Sequence, residues 1–202
     1  MNDFELADSS VIKSIRQRDL YKAWLRCYLK RNEVPPLRAY FPNNMGEEMP
    51  DLVYYDVKGE GDNLRFLIVQ AGERLAEAVG SSGDGEGVFL DRTLGPVQLK
   101  AILPLLLQTV RVGRPVYTIA VLSDVSGAAV TREVLFLPFG ANGTVTQLVS
   151  SRKSISEERR FELKNLLKLV DGMPKYSVRS IIDCKPRPVQ LEASVSSDIV
   201  DV

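Results

Sequence analysis

Residues 116–149 read VYTIAVLSDVSGAAVTREVLFLPFGANGTVTQLV, and this stretch decides the architecture. Three apolar, β-branched runs, Val116 to Leu122, Val130 to Leu137 and Thr144 to Val149, are separated by Asp-Val-Ser-Gly and Gly-Ala-Asn-Gly. Runs of this length and composition favour strands, and the intervening tetrapeptides are turn formers. The reading is a meander of three antiparallel strands.

Immediately upstream, Pro96 to Val112 places Leu99, Ile102, Leu103, Leu106 and Val110 on one stripe and Lys100, Gln108 and Arg111 on the other. This predicts a helix closed by Gly113 and bent at Pro104. Further back, Leu52 to Val57 and Leu64 to Ala71 flank the Gly-rich connection Lys58-Gly-Glu-Gly-Asp-Asn63, which predicts an antiparallel hairpin. Gly72 to Val79 reads as a short helix, Gly80 to Gly87 as a turn-rich connector, and Phe89-Leu90 as a return to the core. Near the N-terminus, Val11, Ile15, Leu20, Trp24 and Tyr28 recur every four or five residues, predicting an amphipathic helix over 10–31.

Downstream, Ser154 stands three residues before Glu157, a capping-box spacing, and Leu163, Leu166, Leu167 and Val170 form a helical stripe that ends at Gly172 and Pro174. The expected organisation is a flexible 1–9, a main domain over 10–151, a C-terminal helix over 152–172, and an extended or mobile tail over 173–202. The fold class is α+β: a five-stranded antiparallel sheet with short helices on one face, flanked by N-terminal and C-terminal helices.

The order of these elements, and several short motifs in that order, resemble the PAS domains. The likeness is closest to the PAS group common in alphaproteobacterial stand-alone PAS proteins. It runs from Leu20 to Ser151, about two-thirds of the chain. Its motifs are the Trp24-bearing helix, Pro36-Leu-Arg38-Ala-Tyr-Phe41-Pro42, Met49-Pro-Asp-Leu-Val-Tyr-Tyr-Asp56, Leu64-Arg-Phe-Leu-Ile-Val-Gln-Ala-Gly72, Gly113-Arg-Pro-Val-Tyr117 and Glu133-Val-Leu-Phe-Leu-Pro138 with Asn142-Gly143.

The resemblance implies a sensory or regulatory module with a pocket between sheet and short helices. The residues it places around such a pocket are Phe66, Leu75, Phe89, Leu94, Leu103, Leu106, Tyr117, Ile119 and Leu135, all equally suited to ordinary core packing. Trp24 and Tyr28 on the first helix are candidates for capping the sheet or for a dimer seam. The expected partners are a second copy of the chain, a signalling protein acting in trans, and a small-molecule ligand.

Composition narrows the chemistry. The chain contains no histidine, which removes His-ligated haem, Ser-His-Asp and Cys-His nucleophiles, and HExxH zinc sites. Cys27 and Cys184 form no ligand-spaced pair and match no cysteinyl-flavin photoadduct motif, so no metal site is expected and the cofactor is left unknown. No spaced acid pair or nucleophile constellation marks an enzyme.

Basic and acidic side chains balance at 26 each, although Lys13 to Arg38 is a basic segment and Glu47 to Asp91 an acidic one. Lys22, Arg26 and Lys30 could meet nucleic acid or an anionic membrane, but interleaved Asp19 fits a solvated face better. The first residues carry no signal-like apolar region, and the apolar stretch 101–107 is too short to span a bilayer, so a cytoplasmic location is expected. A ligand-sensing module and a ligand-free interaction scaffold both fit these observations.

Overall fold

The computed structural model describes residues 4–42, 45–74, 87–123, 127, 129–156 and 173–185. Its strands are β1 (Glu5–Ala7), β2 (Leu52–Lys58), β3 (Arg65–Ala71), β4 (Val88–Phe89), β5 (Val116–Ser123), β6 (Ala129–Ala141), β7 (Thr144–Ser156) and β8 (Lys175–Ile182). Its α-helices are α1 (Ile15–Arg31), α2 (Met45–Glu48), α3 (Leu90–Thr93) and α4 (Pro96–Val112). The strands form one sheet in the order β1-β8-β5-β6-β7-β2-β3-β4, antiparallel throughout except for β1 on β8. This is the α+β class that the sequence predicts.

The sequence predicts five strands; the described residues form eight. The five expected strands, β2, β3, β5, β6 and β7, are consecutive neighbours, and β4, β8 and β1 extend the block at its two ends. Strand β1 lies within the segment expected to be flexible, and β8 within the expected tail. Strand β8 is an interior strand, hydrogen-bonded to β5 on one side and to β1 on the other. Ser154 sits within β7 opposite Arg132, so it caps no helix; residues 157–172 lie outside the described residues.

Local chemistry accounts for the element ends. The Ser14 hydroxyl accepts from the Gln17 amide at the start of α1, so the helix begins later than residue 10, and Asn32 closes it in the left-handed conformation at φ 54°. Pro96 occupies the first turn of α4, where a missing N–H costs nothing, and Gly113 closes the helix at φ 58°. A Cβ on Gly72 would strike the carbonyl oxygens of Met49 and Pro50, which is why the end of β3 can lie against the start of β2.

Both faces of the sheet are covered. Helix α1 packs on one face over Leu52, Tyr117, Leu135, Leu137 and Val149, and α4 on the other over Val53, Tyr55, Phe66, Val116, Val134, Phe136 and Leu148. No helix of the described residues is long and apolar enough to cross a membrane.

The α1 face includes Cys184, 5% exposed, whose thiol burial pushes up to about 12, with Asp183 adding to the rise and Arg114 opposing it. Cys27 is half-buried, its sulfur donating to the Ala39 carbonyl at 3.2 Å. Iodoacetamide at pH 8 is expected to label Cys27 in the native protein and Cys184 only after unfolding, read by peptide mass. Between pH 9 and about 12 the folded state keeps a Cys184 proton that the unfolded chain releases, so this contribution to stability falls across that interval. Equal labelling of the two thiols in the native protein would contradict this assignment.

Candidate functional site

Alternation along β5 and β6 sends Ala120, Leu122, Arg132, Val134 and Phe136 toward α4. The facing wall is one side of α4, Val97, Gln98, Ala101, Ile102 and Leu105, and Leu94, Pro174 and Tyr176 complete the described lining. Between them lies a cavity of about 80 Å³, and Arg152 from β7 reaches into it beside Arg132. On the general scale this volume holds on the order of five water molecules.

The two guanidinium groups dominate its electrostatics. Arg132 pairs across the strands with Ser154 and Arg152 with Val134, so the two arginines are diagonal neighbours on one face. Burial first and the neighbouring Arg152 charge second bring the Arg132 pKa down to about 10, with Tyr176 opposing. Arg132 keeps some solvent contact along the cavity wall, yet the packing around it is enough for this displacement.

Arg152 donates from Nη2 to the Tyr55 hydroxyl at 2.7 Å, while its Nε is buried without a hydrogen-bond partner. Tyr176 donates to the Ala101 carbonyl at 3.1 Å, which ties β8 to α4, and burial raises its pKa against the opposing pull of Arg179 and Arg132. The site can therefore attract and orient an anion.

The residues expected around a pocket separate into groups. Leu94 lines the cavity. Phe66, Leu103 and Leu106 belong to the same core, beneath or beside it. Phe89 lies outside, on edge strand β4, with the Arg65 guanidinium 3.8 Å from its ring centre. Tyr117, Ile119 and Leu135 lie on the opposite face, against the α1 core. Leu75 falls outside the described residues.

Tyr117 shows what its polar tip does instead. Its hydroxyl donates to Glu133 Oε2 at 3.0 Å and accepts from the Lys13 amide at 3.1 Å, while the Ser14 amide donates to the same carboxylate at 3.2 Å. Burial raises the Tyr117 pKa, so the phenol stays a donor, and the pair fixes the entry into α1.

Trp24 is fully buried in the protomer, its indole donating to the Pro138 carbonyl at 2.7 Å and its ring stacked on Tyr28 at 5.0 Å. It caps the sheet and is not available as an intermolecular contact. Lys22, Arg26 and Lys30 are exposed, with Lys22 3.6 Å from Asp19.

The sequence reading did not single out Arg132, Arg152 or Tyr176. The available signal was the period of two: once Phe136 faces α4, Val134 and Arg132 must follow.

No protein-family model matches the chain, and no curated protein is significantly similar to it. Among solved structures, a light-oxygen-voltage domain studied with a flavin analogue is 15% identical over 56% of this chain and 83% of that one, with a TM-score of 0.38. The light-state LOV domain of the blue-light photoreceptor Aureochrome1 is 16% identical over 61% of this chain and 93% of its own, with a TM-score of 0.36. VqmA bound to DPO is 14% identical over 51% of this chain and 52% of its own, with a TM-score of 0.35.

Proposed function

We propose that this chain is a non-catalytic, PAS-type sensory module that takes up a small molecule between α4 and the sheet and passes its occupancy to a partner protein. The observation that carries the reading is the cavity itself, walled by α4 and floored by β5 and β6, with two arginines directed into it. The ordered motifs from Leu20 to Ser151 support the same family reading.

A route from the cavity to the surface is built into β6. Arg132 faces the cavity, and the next residue, Glu133, holds the entry to α1 on the far side through Tyr117 and the Ser14 amide. A ligand that shifts β6 therefore acts on the seating of α1, whose outer face carries Lys22, Arg26 and Lys30. The output is then a change in what α1 meets, a second copy or a signalling protein, and it is realised only if the ligand binds one seating better than the other.

Native mass spectrometry of the freshly purified chain, compared with its denatured mass, tests the reading. A stoichiometric adduct that leaves on denaturation is the expected result. A clean unliganded mass, from preparations made with and without cell extract added back, would favour a ligand-free interaction scaffold.

A further inference from the structure

Among the described residues that line it, the cavity gathers two cations and no carboxylate. Among the described residues no carboxylate lies within ion-pair distance of Arg132 or Arg152, and the Nε of Arg152 is buried without an acceptor. Arg152 spends one N–H on the Tyr55 hydroxyl, but leaving its buried Nε without an acceptor costs free energy, and placing a second cation beside it raises that cost. A buried donor left in this state calls for an explanation in terms of something that completes it.

We propose that the cavity binds a small organic acid, its carboxylate held between Arg132 and Arg152 and its short apolar tail lying between α4 and the sheet. This rests on the sensory reading above and names the ligand class for that site. The planar fork of a guanidinium matches the two oxygens of a carboxylate, and both N–H edges can then be satisfied at once.

The rest of the lining favours a carboxylate over inorganic phosphate. Leu94, Ile102, Leu105 and Phe136 make most of the surface around the arginines apolar, and the Tyr176 hydroxyl is already engaged with the Ala101 carbonyl. Inorganic phosphate has no apolar part to lay against these walls, and the oxygens it turned toward them, away from the two guanidiniums, would be desolvated without compensation. The volume of about 80 Å³ keeps the tail short.

The test is isothermal titration calorimetry of the full chain with acetate, butyrate, hexanoate and benzoate, each beside its neutral amide, and with inorganic phosphate. At least one acid is expected to bind about tenfold or more tighter than its amide and than phosphate, the margin of one or two charge-assisted hydrogen bonds.

Arg132→Met and Arg152→Met are each expected to weaken that acid by about tenfold or more; the urea midpoint is expected unchanged or raised for Arg132→Met, which removes a charge that has no carboxylate partner among the described residues, and lowered for Arg152→Met, which takes from the buried Tyr55 hydroxyl its 2.7 Å donor. Equal binding of acid and amide, tighter binding of phosphate, or unchanged affinity in both variants would overturn the proposal. If the acids fail but native mass spectrometry shows a neutral adduct, the sensory reading stands and the ligand class is wrong. If no probe binds and no adduct is seen, both fall.

Discussion

Truncating Trp24 to alanine is expected to remove about 3–5 kcal/mol of stability, read as a fall in the urea midpoint at unchanged m-value. The side chain is fully buried, at the centre of the packing between α1 and the sheet. Its loss would leave a cavity between helix and sheet and strip the Tyr28 ring of its stacking partner. It would also orphan the buried Pro138 carbonyl, which accepts from the indole at 2.7 Å.

Trp24→Phe separates the two effects. It keeps most of the packing and loses the donor, so its cost is expected near the 1–3 kcal/mol of a buried acceptor left unpaired. An alanine variant within about 0.5 kcal/mol of the parent would mean that α1 is not seated on the sheet as described, since surface substitutions cost that little.

The second large effect is expected at Lys153, on the α1 face of β7. Its ammonium lies 2.6 Å from Asp51 Oδ2 and 2.9 Å from Glu48 Oε2, and both carboxylates are buried, with side chains 7% and 4% exposed. Breaking such a pair by removing one member costs about 3–5 kcal/mol. Arg74 still bonds Asp51, and Arg16 still lies 3.3 Å from Glu48. Lys153→Met is therefore expected at the lower end, about 3 kcal/mol.

A double variant, Lys153→Met with Glu48→Met, is expected to recover part of the loss because it removes a stranded anion together with its cation. Chemical denaturation of the four members of this cycle supplies the coupling energy. Additive single and double effects would show that the two side chains do not depend on one another.

Much of this architecture is legible in the sequence, and the parts that are not share a physical cause. The boundaries of β2, β3 and β5 follow from short apolar runs bounded by Gly-rich or Pro-Gly punctuation, and α4 follows from its stripe and its Gly113 cap. The direction of each side chain is harder to read. With α1 on one face and α4 on the other, strands such as 116–122 are apolar on both sides, and the alternation that would assign faces disappears.

Tyr117, Ile119 and Leu135 were thus legible as core but not as belonging to the α1 side. Arg132 and Arg152 were hidden for the opposite reason. A charged residue within a strand reads as solvent-facing, and only the register that sets Arg152 against Val134 shows both entering the cavity. Strand β8 was hidden because all nine of its register partners, six on β5 and three on β1, are supplied from far away in the chain, so its own residues carry no hairpin signal.

The position of β8 also sets an order on biosynthesis. A chain emerging from the ribosome can assemble β2 through β7 as soon as residue 156 is free, but β5 then has one open edge. That edge is closed only when residues 175–182 have been made, and β1, translated first, has nothing to pair with until the same moment. Translation stalled before residue 175 would therefore leave a nearly complete sheet with an unpaired strand exposed, a species prone to pair with a neighbouring nascent chain.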